Sequence, residues 1–284
     1  MIATENLFER IEKKYVLTSQ QHQELMCALG DMLVDDEYPE GMIQSVYYDS
    51  PGRVMFNRSL EKPPYKEKLR VRAYGSADAD SVVYVELKKK YKGVVHKRRF
   101  ALGREEVSLY LTGMPYDQAV RRSVCRGIDL PGAHDWNTLQ TVAEFDACLA
   151  RYQGLEPAMM VVVDRVSKRT ADGSDVRITF DHAPRWRDAN LELSDNLSGN
   201  SLFAEGVVVM EVKCASAYPL WLAQALSMLR IYPQSCSKVG RAYQAQQERS
   251  RVAHTPVTTF AKKRDNMAYP QIGRLLPHVA TLAG

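Results

Sequence analysis

The five cysteines, Cys27, Cys125, Cys148, Cys214 and Cys236, are odd in number, widely spaced and never at C-x-x-C spacing. That argues against a disulfide framework or a structural zinc site and fits a reducing compartment. No apolar run approaches the roughly 20 residues that cross a bilayer. The opening MIATENLFERIEKKY has no basic-then-apolar leader pattern. There is no GxxxxGK[ST] loop, which excludes a P-loop kinase. Internal repeats and low-complexity tracts are missing too. Net charge is slight, +4 over 284 residues, too small to argue for nucleic-acid binding from bulk charge. These absences predict a soluble, cytoplasmic chain that does not itself cross a membrane and has no nucleic acid partner. A composition of 45% hydrophobic and 25% charged residues gives enough apolar material for one large domain or two modest ones, without general disorder.

What the chain does have is charge at every second position, in several separate stretches. Lys66, Lys68, Arg70 and Arg72 form one run; Glu86, Lys88 and Lys90 another; Lys97 and Arg99 a third. Arg10, Glu12 and Lys14 repeat the pattern near the start, as do Arg177, Thr179 and Asp181, then Glu211 and Lys213. Residues between them are largely apolar, such as Leu69, Val71, Val85, Leu87, Ile178, Phe180 and Val212. Successive side chains of a strand point to opposite faces, so each stretch has one greasy and one ionic face.

The pattern predicts strands at 10–17, 43–49, 65–74, 82–90, 94–102, 157–169, 175–181 and 207–214. A hairpin loop at Tyr91-Lys92-Gly93 joins two of them. Helices are expected at 19–34 (capped by Thr18 or Ser19), 53–60, across 104–152 with a break at Leu130-Pro131-Gly132, at 219–230, and as a shorter piece after Ser237. Residues 1–245 read as one α+β domain of about eight mostly antiparallel strands with helices outside. Residues 246–284, including Lys262-Lys263-Arg264, read as a polar C-terminal tail.

A solvated sheet face shows the same alternation, but it usually mixes polar types and charge signs. Here four cations follow one another on one face, with Lys97 and Arg99 expected on a neighbouring strand. Like charges across adjacent strands repel, so such a face calls for a compensating anion. A sheet closed into a barrel reconciles the two faces: apolar sides pack on outer helices and charged sides line a positive lumen. Guanidinium groups grip phosphate oxygens bidentately and lysines add point charge. Glu12, Glu86 and Glu211 each sit two residues from a cation, and spacing leaves two readings open. They neutralise the lining, or they form an oxygen-ligand site for Mg²⁺ or Mn²⁺ bridging to phosphates. Glu211 is the best metal candidate because VVVMEVK is otherwise apolar; Asp181 is a weaker one.

The order RxExKY, YYDS, KxKLRxRxY, ELK, GxxxKRRF, VRITFD, MEVK and SKVGRAY, from about Phe8 to Tyr243, resembles the VTC (vacuolar transporter chaperone) polyphosphate polymerase domain of the CYTH-like triphosphate tunnel superfamily. The resemblance implies an eight-stranded antiparallel β tunnel that binds ATP or a polyphosphate chain with Mn²⁺ or Mg²⁺. It implies catalytic roles for Arg70, Arg72, Lys88, Lys97, Arg99, Arg177 and Lys238. Phosphate-binding roles follow for Arg10, Lys14, Lys68 and Lys213, and metal roles for Glu211, Glu86 and Glu12. The implied activity is transfer of the ATP γ-phosphate to a growing chain; a tripolyphosphatase or nucleoside triphosphatase and a non-catalytic binding module are the alternatives. RIEKK stands where CYTH hydrolases have ExExK, which lowers the case for simple hydrolysis. No SPX-like or membrane segment is evident, so the chain is expected to act alone or with a separate membrane partner.

The remaining aromatic and histidine positions carry less. His96 is expected to be structural, and His22, His134, His182, His254 and His278 form no ligand spacing. Trp136, Trp186 and Trp221 are expected in cores, and Tyr47 or Tyr48 at the tunnel mouth.

Overall fold

The computed structural model describes residues 11–61, 63–92, 94–215 and 217–254. Arg10, Gly93 of the expected hairpin loop, Lys262-Lys263-Arg264, His278 and the expected tail from residue 255 onward lie outside them. The elements are β1 (Ile11–Leu17), α1 (Ser19–Leu29), β2 (Leu33–Asp49), α2 (Val54–Glu61), β3 (Tyr65–Tyr74), β4 (Val82–Tyr91), β5 (Val94–Gly103), α3 (Arg104–Leu111), α4 (Tyr116–Cys125) and α5 (Trp136–Arg151). They continue with β6 (Glu156–Thr170), β7 (Val176–Arg187), β8 (Asn200–Ser201), β9 (Val208–Cys214), α6 (Leu220–Met228) and α7 (Lys238–His254). One antiparallel sheet runs β1-β9-β7-β6-β2-β3-β4-β5, with the two-residue β8 paired to β7.

Local chemistry sets several boundaries. Thr18 Oγ1 accepts from the Gln21 backbone N–H at 3.1 Å while the Gln21 side chain accepts from the Thr18 N–H at 3.2 Å, a reciprocal cap that starts α1. The helix ends at Gly30, whose φ of 42° suits a residue without a Cβ. The expected run to Val34 is therefore too long: Leu33 and Val34 pair with Thr170 and Arg169 and open β2 instead. At the other end of β2, the buried Asp49 carboxylate accepts from the backbone N–H groups of Met55 (3.0 Å) and Phe56 (2.8 Å), which starts α2.

The convex face of the sheet carries two apolar clusters. Leu69, Val71, Val85, Leu87 and Phe100 pack against Val107, Ala119 and Phe145 of α3, α4 and α5. Tyr15, Ile178, Phe180 and Val212 pack against Leu25 of α1 and Leu222 of α6. These are the expected outer helices. A third cluster lies on the other face, where Ile43, Tyr47, Val161 and Val163 meet Phe56 of α2 and Val239, Ala242 and Tyr243 of α7. The concave side is thus partly apolar, because β2 and β6 turn hydrocarbon inward there and α7 covers it.

Helix α7 is longer than expected and crosses residue 246, where the tail was expected to begin. Its second half consists of good helix formers. That half is tied down by Gln246 and Arg249, which both donate to Asp188, with Arg249 also 5.2 Å from the Trp186 ring centre. Of the tryptophans expected in cores, Trp186 is buried and Trp221 half-buried, but Trp136 is 79% exposed. It occupies the first position of α5, on the solvent side of that helix start.

Candidate functional site

Strand register carries the charges of β3, β4 and β5 into rows. Lys68 is paired with Lys88, and Lys88 with Lys97, so three lysines stand side by side across three strands. The next row is Arg70, Glu86 and Arg99. Glu86 is buried and serves three cations: Arg70 Nη2 at 2.6 Å, Lys97 Nζ at 2.6 Å and Arg72 Nε at 3.9 Å. Burial alone would raise the Glu86 pKa; Arg70, Arg72 and Lys97 outweigh it and hold the carboxyl at about 2. Arg70 also donates to the Tyr47 hydroxyl at 3.0 Å and Arg72 to Ser45 Oγ at 3.2 Å. Burial pushes the Tyr47 phenol up, yet Arg70, Lys68 and Arg72 bring it down to about 8.

The other end of the strand order supplies a second wall. Lys14 on β1 donates to Glu211 on β9 and lies 3.1 Å from Glu12, while Lys213 reaches Glu211 at 3.2 Å. Burial opposes ionisation of Glu211, but Lys14 and Lys213 hold its carboxyl well below the usual range. Lys88 of β4 contacts Glu12 of β1 at 3.5 Å, so the two walls meet.

A third group joins β6, β7 and α7. Arg165 grips Asp181 with two hydrogen bonds, 2.6 and 2.9 Å, and Lys238 at the start of α7 reaches the same carboxylate at 2.5 Å. Burial raises the Asp181 pKa, and Lys238 with Arg165 overcomes that to set it at about 2. Ser237 Oγ accepts from Lys68 at 2.9 Å and from the Gly240 N–H at 3.1 Å, so the residue that caps α7 also anchors a β3 lysine. The buried Thr179 hydroxyl, paired in register with Glu211 on β9 and Ser167 on β6, has no hydrogen-bond partner.

The structure therefore brings together Lys14, Lys68, Arg70, Arg72, Lys88, Lys97, Lys213 and Lys238 with Glu12, Glu86 and Glu211. Arg177 stands apart, its guanidinium turned to Asp36 on β2, while Arg99 keeps its place in the Glu86 row and lies over the Tyr84 ring at 4.9 Å. Arg10 lies outside the described residues. Glu86, expected as a metal ligand, is the counter-ion of three cations. Arg165 is the residue that sequence reasoning missed; the alternation Arg165, Ser167, Arg169 was its signal. Among the described residues, no group of three His, Cys, Asp or Glu side chains is placed to hold a metal.

A sheet whose two walls meet over a cation-rich interior defines a tunnel protein. Residues 9–246 match the VTC domain model, and the chain belongs to that family. No curated protein matches the sequence. Similar solved structures include a Bacillus halodurans protein described as an adenylate cyclase candidate, at 12% identity and TM-score 0.44, covering 81% of this chain and 95% of that one. A Hippeastrum adenylyl cyclase candidate described as having a dominant triphosphatase activity aligns at 15% identity and TM-score 0.40, with 83% and 96% coverage. A Pyrococcus horikoshii protein aligns at 12% identity and TM-score 0.40, with 83% and 99% coverage. No helix among the described residues is long and apolar enough to cross a membrane.

Proposed function

We propose that the chain is a polyphosphate polymerase that moves the γ-phosphate of ATP onto a growing polyphosphate chain inside the cation-lined interior. The observation that carries this reading is the in-register row Lys68, Lys88 and Lys97. Three ammonium groups side by side are unfavourable unless an anion lies over them, and only Lys97 has a buried carboxylate close by. A linear phosphate chain supplies charge at the required repeat. Arg70, Arg72 and Arg165 hold fixed guanidinium positions around the row, and Lys14, Lys213 and Lys238 add charge from the other walls.

Phosphoryl transfer in such a site requires alignment more than covalent participation. A terminal oxygen of the chain attacks the γ-phosphorus, the bond to the β–γ bridging oxygen breaks, and ADP leaves with those electrons. The lysine and arginine rows hold both phosphate groups and offset charge that builds on the oxygens.

Glu211 and Glu12 flank Lys14, and the unpartnered Thr179 hydroxyl adjoins Glu211 in register. These hard oxygen donors fit a Mg²⁺ or Mn²⁺ ion that keeps one or two carboxylates and takes its other ligands from phosphate and water. When bound, the ion supplies neutralisation of phosphate oxygens.

Purified protein incubated with ATP and Mn²⁺, then run on a gel stained for long-chain polyphosphate, tests the reading. Chain product is expected. Orthophosphate alone would mean a triphosphatase, and binding without turnover a polyphosphate-binding module.

A further inference from the structure

Beyond the lysine row, the concave face changes character. Tyr74 on β3 and Tyr84 on β4 meet edge to face, with ring centres 5.7 Å apart and planes at 79°. The Arg72 guanidinium lies 6.0 Å from the Tyr74 ring centre, and that of Arg99 lies 4.9 Å from the Tyr84 ring centre. Arg72, Tyr74, Tyr84 and Arg99 thus form a row across three adjacent strands, next to the phosphate-facing residues. Register pairs Arg72 with Tyr84, and the Glu86–Arg99 pair follows one step along the same face. Tyr74 is 51% exposed and Arg99 is exposed, so part of this π surface is open.

A recess of about 150 Å³ opens beside it, lined by Tyr84, Arg99, Phe100, Tyr116, Leu130 and Ala133. The Tyr116 hydroxyl is already committed to the Ala133 carbonyl at 3.1 Å. Inorganic polyphosphate has no ring to place on an aromatic face. A nucleoside triphosphate has one, at the opposite end from its γ-phosphate.

Resting on the polymerase reading above, we propose that this row and recess seat the nucleobase of the phosphate donor, stacked against Tyr84 and Arg99. The triphosphate then runs from Arg72 along β3 and β4 toward Lys68 and Lys88. Tyr84 and Lys88 lie on one strand about 13 Å apart at the usual rise per residue, a span for ribose and phosphates. Stacking is indifferent to base identity because every base has a π face. The site distinguishes a nucleotide from inorganic triphosphate, and does not distinguish adenine from guanine.

Titration calorimetry with β,γ-imido-ATP, β,γ-imido-GTP and inorganic tripolyphosphate tests this. The two nucleotides are expected to bind the wild-type protein within about threefold of each other, since a stack of ~1–3 kcal/mol reads no base edge. Tyr84→Ala should weaken both by about tenfold, the lower part of the range that such a stack implies, and leave tripolyphosphate unchanged. Tyr84→Phe should bind all three like wild type. Should Tyr84→Ala fail to fold, Tyr84→Leu keeps apolar bulk without the π face and carries the same expectation. Equal losses for all three ligands, or no loss for the nucleotides, would overturn the base site while the phosphate site stands. If wild-type protein binds none of the three, the polymerase reading fails and this inference fails with it.

Discussion

Lys88 on β4 and Glu12 on β1 stand 3.5 Å apart, although β1 lies at one end of the strand order and β4 next to the other. No backbone ladder joins those two strands. The ion pair is therefore a side-chain link between the two walls of the tunnel, and Glu12 shares it with Lys14 at 3.1 Å.

Removing that carboxylate charge has a definite sign. Both partners are partly exposed, so Glu12→Gln should change stability by less than about 1 kcal/mol. Without metal, tripolyphosphate affinity should rise about threefold, because Lys14 and Lys88 lose a competing anion. With Mn²⁺ present the gain should shrink or reverse, since one oxygen ligand is weakened. Calorimetry with and without Mn²⁺ reads both; unchanged affinity in each would remove Glu12 from the site.

Lys68 predicts a pH dependence. Burial drives its ammonium down to about 8, with Tyr47 opposing and Lys66, Lys88 and Arg70 assisting. The side chain is charged below that value and neutral above it, so triphosphate affinity should fall as pH rises through about 8. Stability should move the other way. The folded pKa lies below the ordinary 10.5, so between about 8 and 10.5 the unfolded chain binds more protons, and stability rises with pH. Tyr47, at about 8 against its usual 10.0, acts in the same direction. Lys68→Arg should flatten the affinity profile. Calorimetry and thermal melts across this range would show parallel trends if the assignment were wrong.

Thr179 offers a test that separates binding from folding. Its buried hydroxyl has no partner, so Thr179→Val removes an unsatisfied polar group at nearly constant shape. Stability should hold or rise by up to ~1 kcal/mol. Tripolyphosphate affinity in Mn²⁺ should fall several-fold, as loss of one ligand hydrogen bond of ~1 kcal/mol implies, and Thr179→Ser should restore it. A drop in melting temperature without a change in affinity would make the hydroxyl purely structural.

Much of this was legible from alternation alone. The predicted strand 65–74 coincides with β3, and 82–90 and 94–102 each fall one residue short of β4 and β5. In these strands one face is apolar and the other charged, so the period and the inward face are unambiguous. Arg165 escaped because residues 158–163 of β6, AMMVVV, are apolar on both faces, one meeting α7 and the other lying in the outer core cluster. The alternation starts only afterward. A helix after Ser237 was expected, but the second half of α7 escaped because the buried stripe is short, Val239, Ala242 and Tyr243, followed by polar residues that read as a tail. The cross-strand rows themselves needed the register, which no single strand's sequence contains.

Helix α7 is the last described element, yet Ser237 and Lys238 at its start are parts of the interior. During translation every strand leaves the ribosome before these two residues do. A nascent chain halted short of Ser237 would already hold the complete sheet, but Asp181 would face Arg165 alone and Lys68 would lack its hydroxyl partner. Completion of this charged interior is thereby timed after the last described strand.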